Sequence, residues 1–160
     1  MYKIGVNCGI TGAIALLQDD NFVTVEDMPL FRMGKHRQIN AAELAELLET
    51  WQSAIHGDNA DNNYMVYVEE VSAMPGQDVT GVFNFGTSYG IILGCLGALK
   101  MPFTMVRPQG WKKRAGLINY ENVRVRTLAE QFYPGAPLSR KKDMGRAVAI
   151  LIAKFAGELD

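Results

Sequence analysis

The chain has 160 residues, of which 48% are hydrophobic and 21% charged, and its formal net charge is −1. A chain of this size buries a core as one domain without disulfides or a structural metal. The near-zero charge excludes a global attraction to nucleic acid, so any DNA-binding surface must be a local patch.

The two cysteines and the apolar stretches indicate the compartment. Cys8 and Cys95 are isolated and lack metal-ligand spacing, which favours buried free thiols in a reducing interior. No signal peptide is visible, and the longest apolar stretch, 91–99, is too short to span a bilayer. We therefore expect a cytoplasmic protein, or one in an equivalent organelle interior, with no membrane partner.

The first half of the chain opens with two strands joined by a glycine turn. The predicted elements are strands over 2–7, 12–18 and 22–26, a polar loop over 27–37, a helix capped by Asn40 and running to Trp51, and an exposed loop over 55–63. The first three strands are predicted to form an antiparallel meander.

In the second half, strands and helices alternate. The predicted elements are a strand over 64–69, a helix over 79–99, a strand over 103–106, a basic loop over 108–116, a helix over 121–132 and a final helix that begins near Asp143. This order predicts an α/β fold with a mixed sheet and helices on both faces, in a single domain over 1–160.

Three acidic or acid-like positions are candidates for one site. Asn7 ends the first strand, where chains with this strand–glycine-turn–strand layout usually carry a metal-binding aspartate. Glu69 and Glu70 end the fourth strand, and because side chains alternate along a strand only one of them can face the site. Asp143 stands at the start of the last helix. Such oxygen ligands together suit Mg²⁺ or Mn²⁺, although a solvated strand end and a helix N-cap are the ordinary alternatives.

Four segments in order carry a family resemblance. They are Ile4–Ala13, Val66–Glu69, Trp111-Lys112 and Lys141–Ala149. Together they resemble the RuvC-type Holliday junction resolvases of the RNase H-like fold, nearest to the phage and plant-chloroplast branches. The resemblance implies a structure-selective, metal-dependent endonuclease that resolves four-way DNA junctions by paired symmetric nicks, and it implies a homodimer with two Mg²⁺ or Mn²⁺ ions per active site.

The resemblance also implies roles for single residues. Asn7, Glu69 (rather than Glu70) and Asp143 match the metal-binding acids, Lys112 matches a lysine that contacts the scissile phosphate, and Val148 falls where a further acid is expected. Asn7 lacks the charge that holds a cation, and Val148 cannot bind one. The chain is therefore predicted to bind junction DNA and to cut it poorly or not at all.

Clustered cations predict the DNA-binding surface. The predicted DNA contacts are Lys35, Arg37, Gln77, Arg107, Lys113, Arg114, Arg140, Lys141 and Lys142. Each cluster alone is typical of a solvated basic loop, but together they border the inferred site. Phe83 and Phe85 are expected to pack in the core rather than to stack on bases, and the homodimer contact is expected on the helix Phe83–Leu99.

Other functions remain open at this point. If Asn7 and Val148 are natural, the chain is a catalytically inactive junction-binding protein. A small-molecule-binding α/β domain is less favoured. A sugar kinase or ATPase fragment also opens with a strand, a glycine turn and a strand, but the chain is too short for the two lobes of a nucleotide cleft.

Overall fold

The computed structural model describes residues 1–58, 63–120 and 122–158. The strands are β1 (Tyr2–Asn7), β2 (Ala13–Gln18), β3 (Asn21–Asp27), β4 (Leu30–Met33), β5 (His36–Ile39), β6 (Tyr64–Glu69) and β7 (Phe103–Val106). The helices are α1 (Ala41–Asp58), α2 (Val79–Ala98), α3 (Pro108–Arg114), α4 (Asn122–Phe132) and α5 (Met144–Phe155). Short 3₁₀ turns, Lys141–Asp143 and Ala156–Glu158, flank α5.

One five-stranded sheet organises the molecule, with strand order β3-β2-β1-β6-β7. β1, β2 and β3 pair antiparallel, whereas β6 is parallel to both β1 and β7. This confirms the predicted mixed sheet. Because β1 and β6 run side by side in the same direction, both finish at one end of the sheet, which we call the site end.

Helices cover both faces of this sheet, as predicted. One core combines sheet residues such as Ile4, Val66 and Val68 with Leu44 of α1 and Leu96 of α2. The other face carries a second core, which includes Leu17, Tyr67, Trp111, Val125, Ala149, Ile150 and Ala153. The alternation of side chains along each strand divides the buried residues between the two cores.

Small residues bring α5 into direct contact with the sheet. A Cβ atom added to Gly5 would lie 2.1 Å from the carbonyl oxygen of Ala149, and one added to Gly145 would lie 2.1 Å from that of Thr11. No side chain fits at either position, so the start of α5 lies directly over the glycine turn between β1 and β2.

Three predicted elements are wrong in type or in extent. Residues 30–39, expected mostly as loop, form the β4–β5 hairpin around Gly34, whose φ of +61° suits a turn glycine. The segment 108–116 was expected as a basic loop but contains helix α3. Pro108 suits the first helical position, and the three cations in the last turn interact favourably with the helix C-terminus. α1 extends past Trp51 to Asp58; positions 59–62 of the predicted loop, and Glu121, lie outside the described residues.

α2 is an unusually exposed apolar helix. Its buried residues are Ser88, Ile92 and Leu96, whereas the side chains of Phe83 and Phe85 are 73% and 41% exposed. The expectation that both phenylalanines pack in the core is therefore wrong. Within the described part of the chain, α2 alone is long and apolar enough to cross a membrane, which is weak evidence because core helices meet the same criteria.

Candidate functional site

Asn7 and Glu69 lie side by side at the site end of the sheet. Val6 is paired with Val68 in the parallel register, so the next residue of each strand projects from the same face. Both side chains are half-buried. α5 and α3 cover this face, and each supplies a hydrogen-bond partner to one of the two residues.

The Asn7 side chain is bound to the start of α5. Its Nδ2 donates a hydrogen bond to the carbonyl oxygen of Gly145 at 3.3 Å. An aspartate at this position has no hydrogen to donate, and its carboxylate would face the carbonyl oxygen. The neutral amide therefore suits the fold as it stands, and a carboxylate there needs a cation or a small movement of α5.

Glu69 faces the same site from β6. Its Oε1 accepts a hydrogen bond from Nε1 of Trp111 at 3.0 Å. Burial raises the pKa of Glu69, while the Trp111 hydrogen bond and the Lys112 charge oppose that rise. Glu70 points elsewhere, because it is exposed and pairs with Arg107 at 3.3 Å.

Asp143 is fully committed to local contacts. Its side chain is only 2% exposed, and it accepts hydrogen bonds from Arg140, through the backbone N at 2.8 Å, Nε at 3.0 Å and a terminal nitrogen at 2.7 Å. Arg146 lies 3.8 Å away on the other side and pairs with both carboxylate oxygens of Asp27, at 2.6 and 2.9 Å. We call these four residues the α5 anchor, because they tie the start of α5 to β3.

The anchor also sets the charge state of Asp143. The hydrogen bonds from Arg140 hold the pKa of Asp143 below its usual range, and the charge of Arg146 acts in the same direction. Asp143 is therefore a carboxylate at neutral pH, and it is already paired with the guanidinium group of Arg140.

Val148 is half-buried and packs against the core on the α5 side of the sheet. Arg146 points toward β3, and Val148 lies about 200° further round the helix, on the opposite side of α5. An apolar group therefore stands where the resemblance expects a further acid.

These residues do not fit a two-ion metal cage as they stand. Asn7 carries no charge, the pKa of Glu69 is raised, and the carboxylate of Asp143 is bound by Arg140. Within residues 1–58, 63–120 and 122–158, no group of three or more His, Cys, Asp or Glu side chains is placed to hold a metal ion. A strong cation site would need at least one further carboxylate beside Glu69.

Several predicted DNA contacts are exposed cations. Lys35 and Arg37 lie at the tip of the β4–β5 hairpin, and the half-buried Lys112 has its ammonium 5.6 Å from the centre of the Trp111 ring. The remaining exposed cations of the set are Arg107, Lys113, Arg140, Lys141 and Lys142. Arg107 pairs with Glu70 and Arg140 with Asp143, so Lys35, Arg37, Lys113, Lys141 and Lys142 are the exposed cations of the set without an ion pair among the described residues.

Two other predicted DNA contacts have structural partners. Arg114 donates a hydrogen bond to the carbonyl oxygen of Phe155 at 3.4 Å and so caps the end of α5. Gln77 accepts a hydrogen bond from the backbone N of Met74 at 2.7 Å, which closes a turn in the segment between β6 and α2.

Sequence reasoning missed two features of the site. The hydrogen bond from Trp111 to Glu69 joins residues 42 positions apart, and a tryptophan in a basic segment gave no sign of it. The Arg146–Asp27 pair joins residues 119 positions apart. The spacing of Asp143 and Arg146, three residues apart at a helix start, was the one available signal for the anchor.

Similarity to solved structures identifies the fold. No protein-family model matches the chain, and no curated protein matches it. A structure of T. thermophilus RuvC in complex with Holliday junction substrate covers 99% of this chain and 96% of its own, with a TM-score of 0.62 and 14% identity. A second Thermus thermophilus RuvC structure gives a TM-score of 0.54 at 15% identity with the same coverage. The chain therefore has the RuvC-like, RNase H-like fold over nearly its whole length.

Proposed function

We propose that this protein binds four-way DNA junctions on the framework of a paired-nick resolvase, and that Asn7 and Val148 leave it with weak or no cleavage. The observation that carries the proposal is the placement of Asn7 beside Glu69 under α5, in a chain that matches RuvC end to end. One of the matched structures is a complex with Holliday junction substrate.

The distribution of charge supports DNA binding at the site end. Lys35 and Arg37 line a cavity together with Ile10 of the glycine turn, and Lys112 and Lys113 belong to α3, whose Trp111 contacts Glu69. Cations at these two places would neutralise backbone phosphates of a strand laid across the candidate site. The overall charge of −1 keeps this attraction local.

Weak cleavage follows from the missing charges. A magnesium-dependent phosphodiesterase needs carboxylates that hold two cations, and here Glu69 is the one acid of the predicted set that faces the site without an arginine partner. Losing one charged group that stabilises the transition state costs roughly 3–4 kcal/mol, or a factor of about 10²–10³ in rate. In this proposal, the variants with an acid in place of Asn7, or of both Asn7 and Val148, cleave DNA, and their cleavage depends on Mg²⁺ or Mn²⁺.

A homodimer completes the proposal, with α2 as its contact. Gly86, Gly90 and Gly94 are spaced four residues apart, and a Cβ added to any of them meets, apart from the chain neighbours and the backbone of its own helix, no described atom within 4 Å. Phe83 and Val79 add exposed apolar surface to the same helix. A glycine stripe beside large apolar side chains suits close packing of two copies of α2, and paired nicks need two sites.

The dimer is tested by a charge on the stripe. Gly90→Glu should convert a dimer into a monomer in analytical ultracentrifugation, whereas Gly57→Ala, at an open position in α1, should leave the dimer intact. A wild-type protein that sediments as a monomer at all concentrations would contradict the α2 contact.

The cleavage experiment uses a radiolabelled four-way junction with Mg²⁺ or Mn²⁺. We expect the wild type to bind without cutting, and Asn7→Asp or Asn7→Asp with Val148→Glu to introduce symmetric nicks. Asn63→Asp adds the same charge at an exposed position at the other end of β6 and should remain inactive. If no variant cuts and none prefers branched DNA over linear duplex, the proposed function is wrong.

A further inference from the structure

A cavity of about 360 Å³ lies between the tip of the β4–β5 hairpin and the first turns of α2. Lys35, His36 and Arg37 line it from the hairpin, and Asn84 and Phe85 line it from the helix. Ile10 of the glycine turn closes a further side. We call this cavity the hairpin pocket.

The hairpin pocket shares the glycine turn with the candidate site. Asn7 ends β1 immediately before this turn, and Ile10 within the turn lines the pocket. The ring of Phe85 rests against the turn, because a Cβ added to Gly9 would lie 2.7 Å from a ring carbon. A DNA strand that leaves the site across this turn therefore arrives at the pocket.

The electrostatics of the pocket suit a phosphate group. Among the described residues, Lys35, His36 and Arg37 make no ion pair, and no carboxylate lines the pocket. Gly81, in the first turn of α2, also lines the pocket, so the partial positive charge of the helix N-terminus lies at its edge. The carboxylate of Asp78, which caps the N-terminus of α2, already accepts a hydrogen bond from the backbone N of Gly81 at 2.9 Å.

The helix side of the pocket suits a nucleobase. Phe85 is 41% exposed although it is aromatic, and exposed Asn84 offers both a hydrogen-bond donor and an acceptor beside it. Aromatic side chains that accept stacked bases next to cations are the usual means of holding single-stranded nucleic acid. The volume is at the small end of the range for ligand pockets, which is the scale of one nucleotide.

We propose that the hairpin pocket binds one unpaired nucleotide of the junction strand that crosses the glycine turn. Its phosphate pairs with Lys35 and Arg37, and its base stacks on Phe85. This inference rests on the proposed junction-binding function and adds to it a second contact, outside the acidic site.

The test measures binding of a four-way junction by fluorescence anisotropy at several salt concentrations. Phe85→Leu should weaken junction binding by about fivefold or more, as expected for loss of one stacked base. Phe103→Leu changes an exposed aromatic residue on β7 and should bind like the wild type. The double variant Lys35→Ala/Arg37→Ala should lower the slope of log affinity against log salt by about one for each cation removed.

The charge control is Arg32→Ala, because Arg32 is exposed on the same hairpin, directly opposite Arg37, but does not line the pocket. A second readout places 2-aminopurine at successive nucleotides around the branch point. One position should change fluorescence on binding to the wild type and not on binding to Phe85→Leu.

The outcomes separate this inference from the proposed function. If the wild type prefers the junction over duplex but Phe85→Leu and the double variant bind like their controls, the pocket inference is wrong and the function stands. Loss of affinity in the double variant alone overturns the base contact. If the wild type binds neither branched nor single-stranded DNA, both proposals fail.

Discussion

The α5 anchor predicts how the protein responds to loss of the Asp143 charge. Asp143→Asn keeps the size of the side chain and one acceptor oxygen, but its amide NH₂ group must face donors of Arg140. Asp143 is 2% exposed and receives three donors from Arg140, so at least one charge-assisted hydrogen bond is lost. Such bonds contribute about 1.5–3 kcal/mol each.

The Arg140 side chain is 46% exposed, and solvent compensates part of that loss. We therefore expect the free energy of unfolding to fall by about 2 kcal/mol, which corresponds to a Tm lower by about 4–8 °C in a chain of this length. Urea unfolding at pH 7, followed by the fluorescence of Trp111 and Trp51, measures the difference.

The difference in unfolding free energy between the wild type and Asp143→Asn should depend on pH and not on divalent metal. Because the pKa of Asp143 is lowered in the folded state, its stabilising effect is complete above the unfolded-state value, about 4, and is lost as the pH falls through the folded-state value. The gap between wild type and Asp143→Asn should therefore close in acid. EDTA or Mg²⁺ should leave it unchanged.

The matched control is Glu130→Gln, which removes a carboxylate that is 43% exposed and 3.8 Å from Arg126. It should cost no more than about 0.5 kcal/mol. A loss below about 0.5 kcal/mol in Asp143→Asn, or a loss seen only when Mg²⁺ is present, would refute the anchor and make Asp143 a cation ligand.

Five further substitutions test the packing and the site. Gly5→Ala places a Cβ 2.1 Å from a carbonyl oxygen of α5 and should cost about 3 kcal/mol or more in urea unfolding. Gly57→Ala, with open space around it, should be neutral or slightly stabilising, and equal effects would contradict the close contact. Glu69→Gln should match or exceed the Tm of the wild type at pH 7. Burial raises the pKa of Glu69, so the ionised carboxylate lowers the stability of the wild type as the pH rises through the folded-state pKa. The higher Tm of the variant should disappear below about pH 4, where Glu69 is protonated in both the folded and unfolded states. Arg114→Ala should lower Tm, because Arg114 caps the end of α5. Lys113→Ala, at an exposed position, should instead lower the salt dependence of junction binding. The reverse pattern would make Lys113 the structural residue and Arg114 the DNA contact.

The main strands were predictable because their local signals agree. β-branched and aromatic residues are followed by a glycine turn in β1 and by two glutamates in β6, and both strands lie where the sequence indicated. The helix α3 was misjudged because a proline and a run of cations are as typical of a loop as of a helix N-terminus followed by a last turn. Only the packing of buried Trp111 against the core distinguishes the two cases.

The candidate site was predictable in part for a physical reason. Neighbouring parallel strands end together, so the proximity of Asn7 and Glu69 follows from topology. The commitment of Asp143 to Arg140 does not follow, because a carboxylate at a helix start serves equally as a cap or as a ligand. Contacts with residues far along the chain, such as Arg146 with Asp27, decide between them.

The exposure of α2 shows a further limit of sequence reasoning. Phe83 and Phe85 occur in an apolar helix, and apolar helices are usually buried within their own chain. Here one side of the helix packs on the sheet while the other side remains exposed. The sequence indicates that α2 is apolar, but not whether its second side is covered by this chain or by another molecule.

The most direct test of the central claim is a competition measurement on the wild-type protein without divalent metal. A labelled four-way junction is displaced by unlabelled junction or by linear duplex with the same arm sequences. We predict that the junction competes at least about tenfold better, a difference of about 1.4 kcal/mol in binding free energy. Equal competition by the linear duplex would contradict junction recognition, whatever the cleavage assays show.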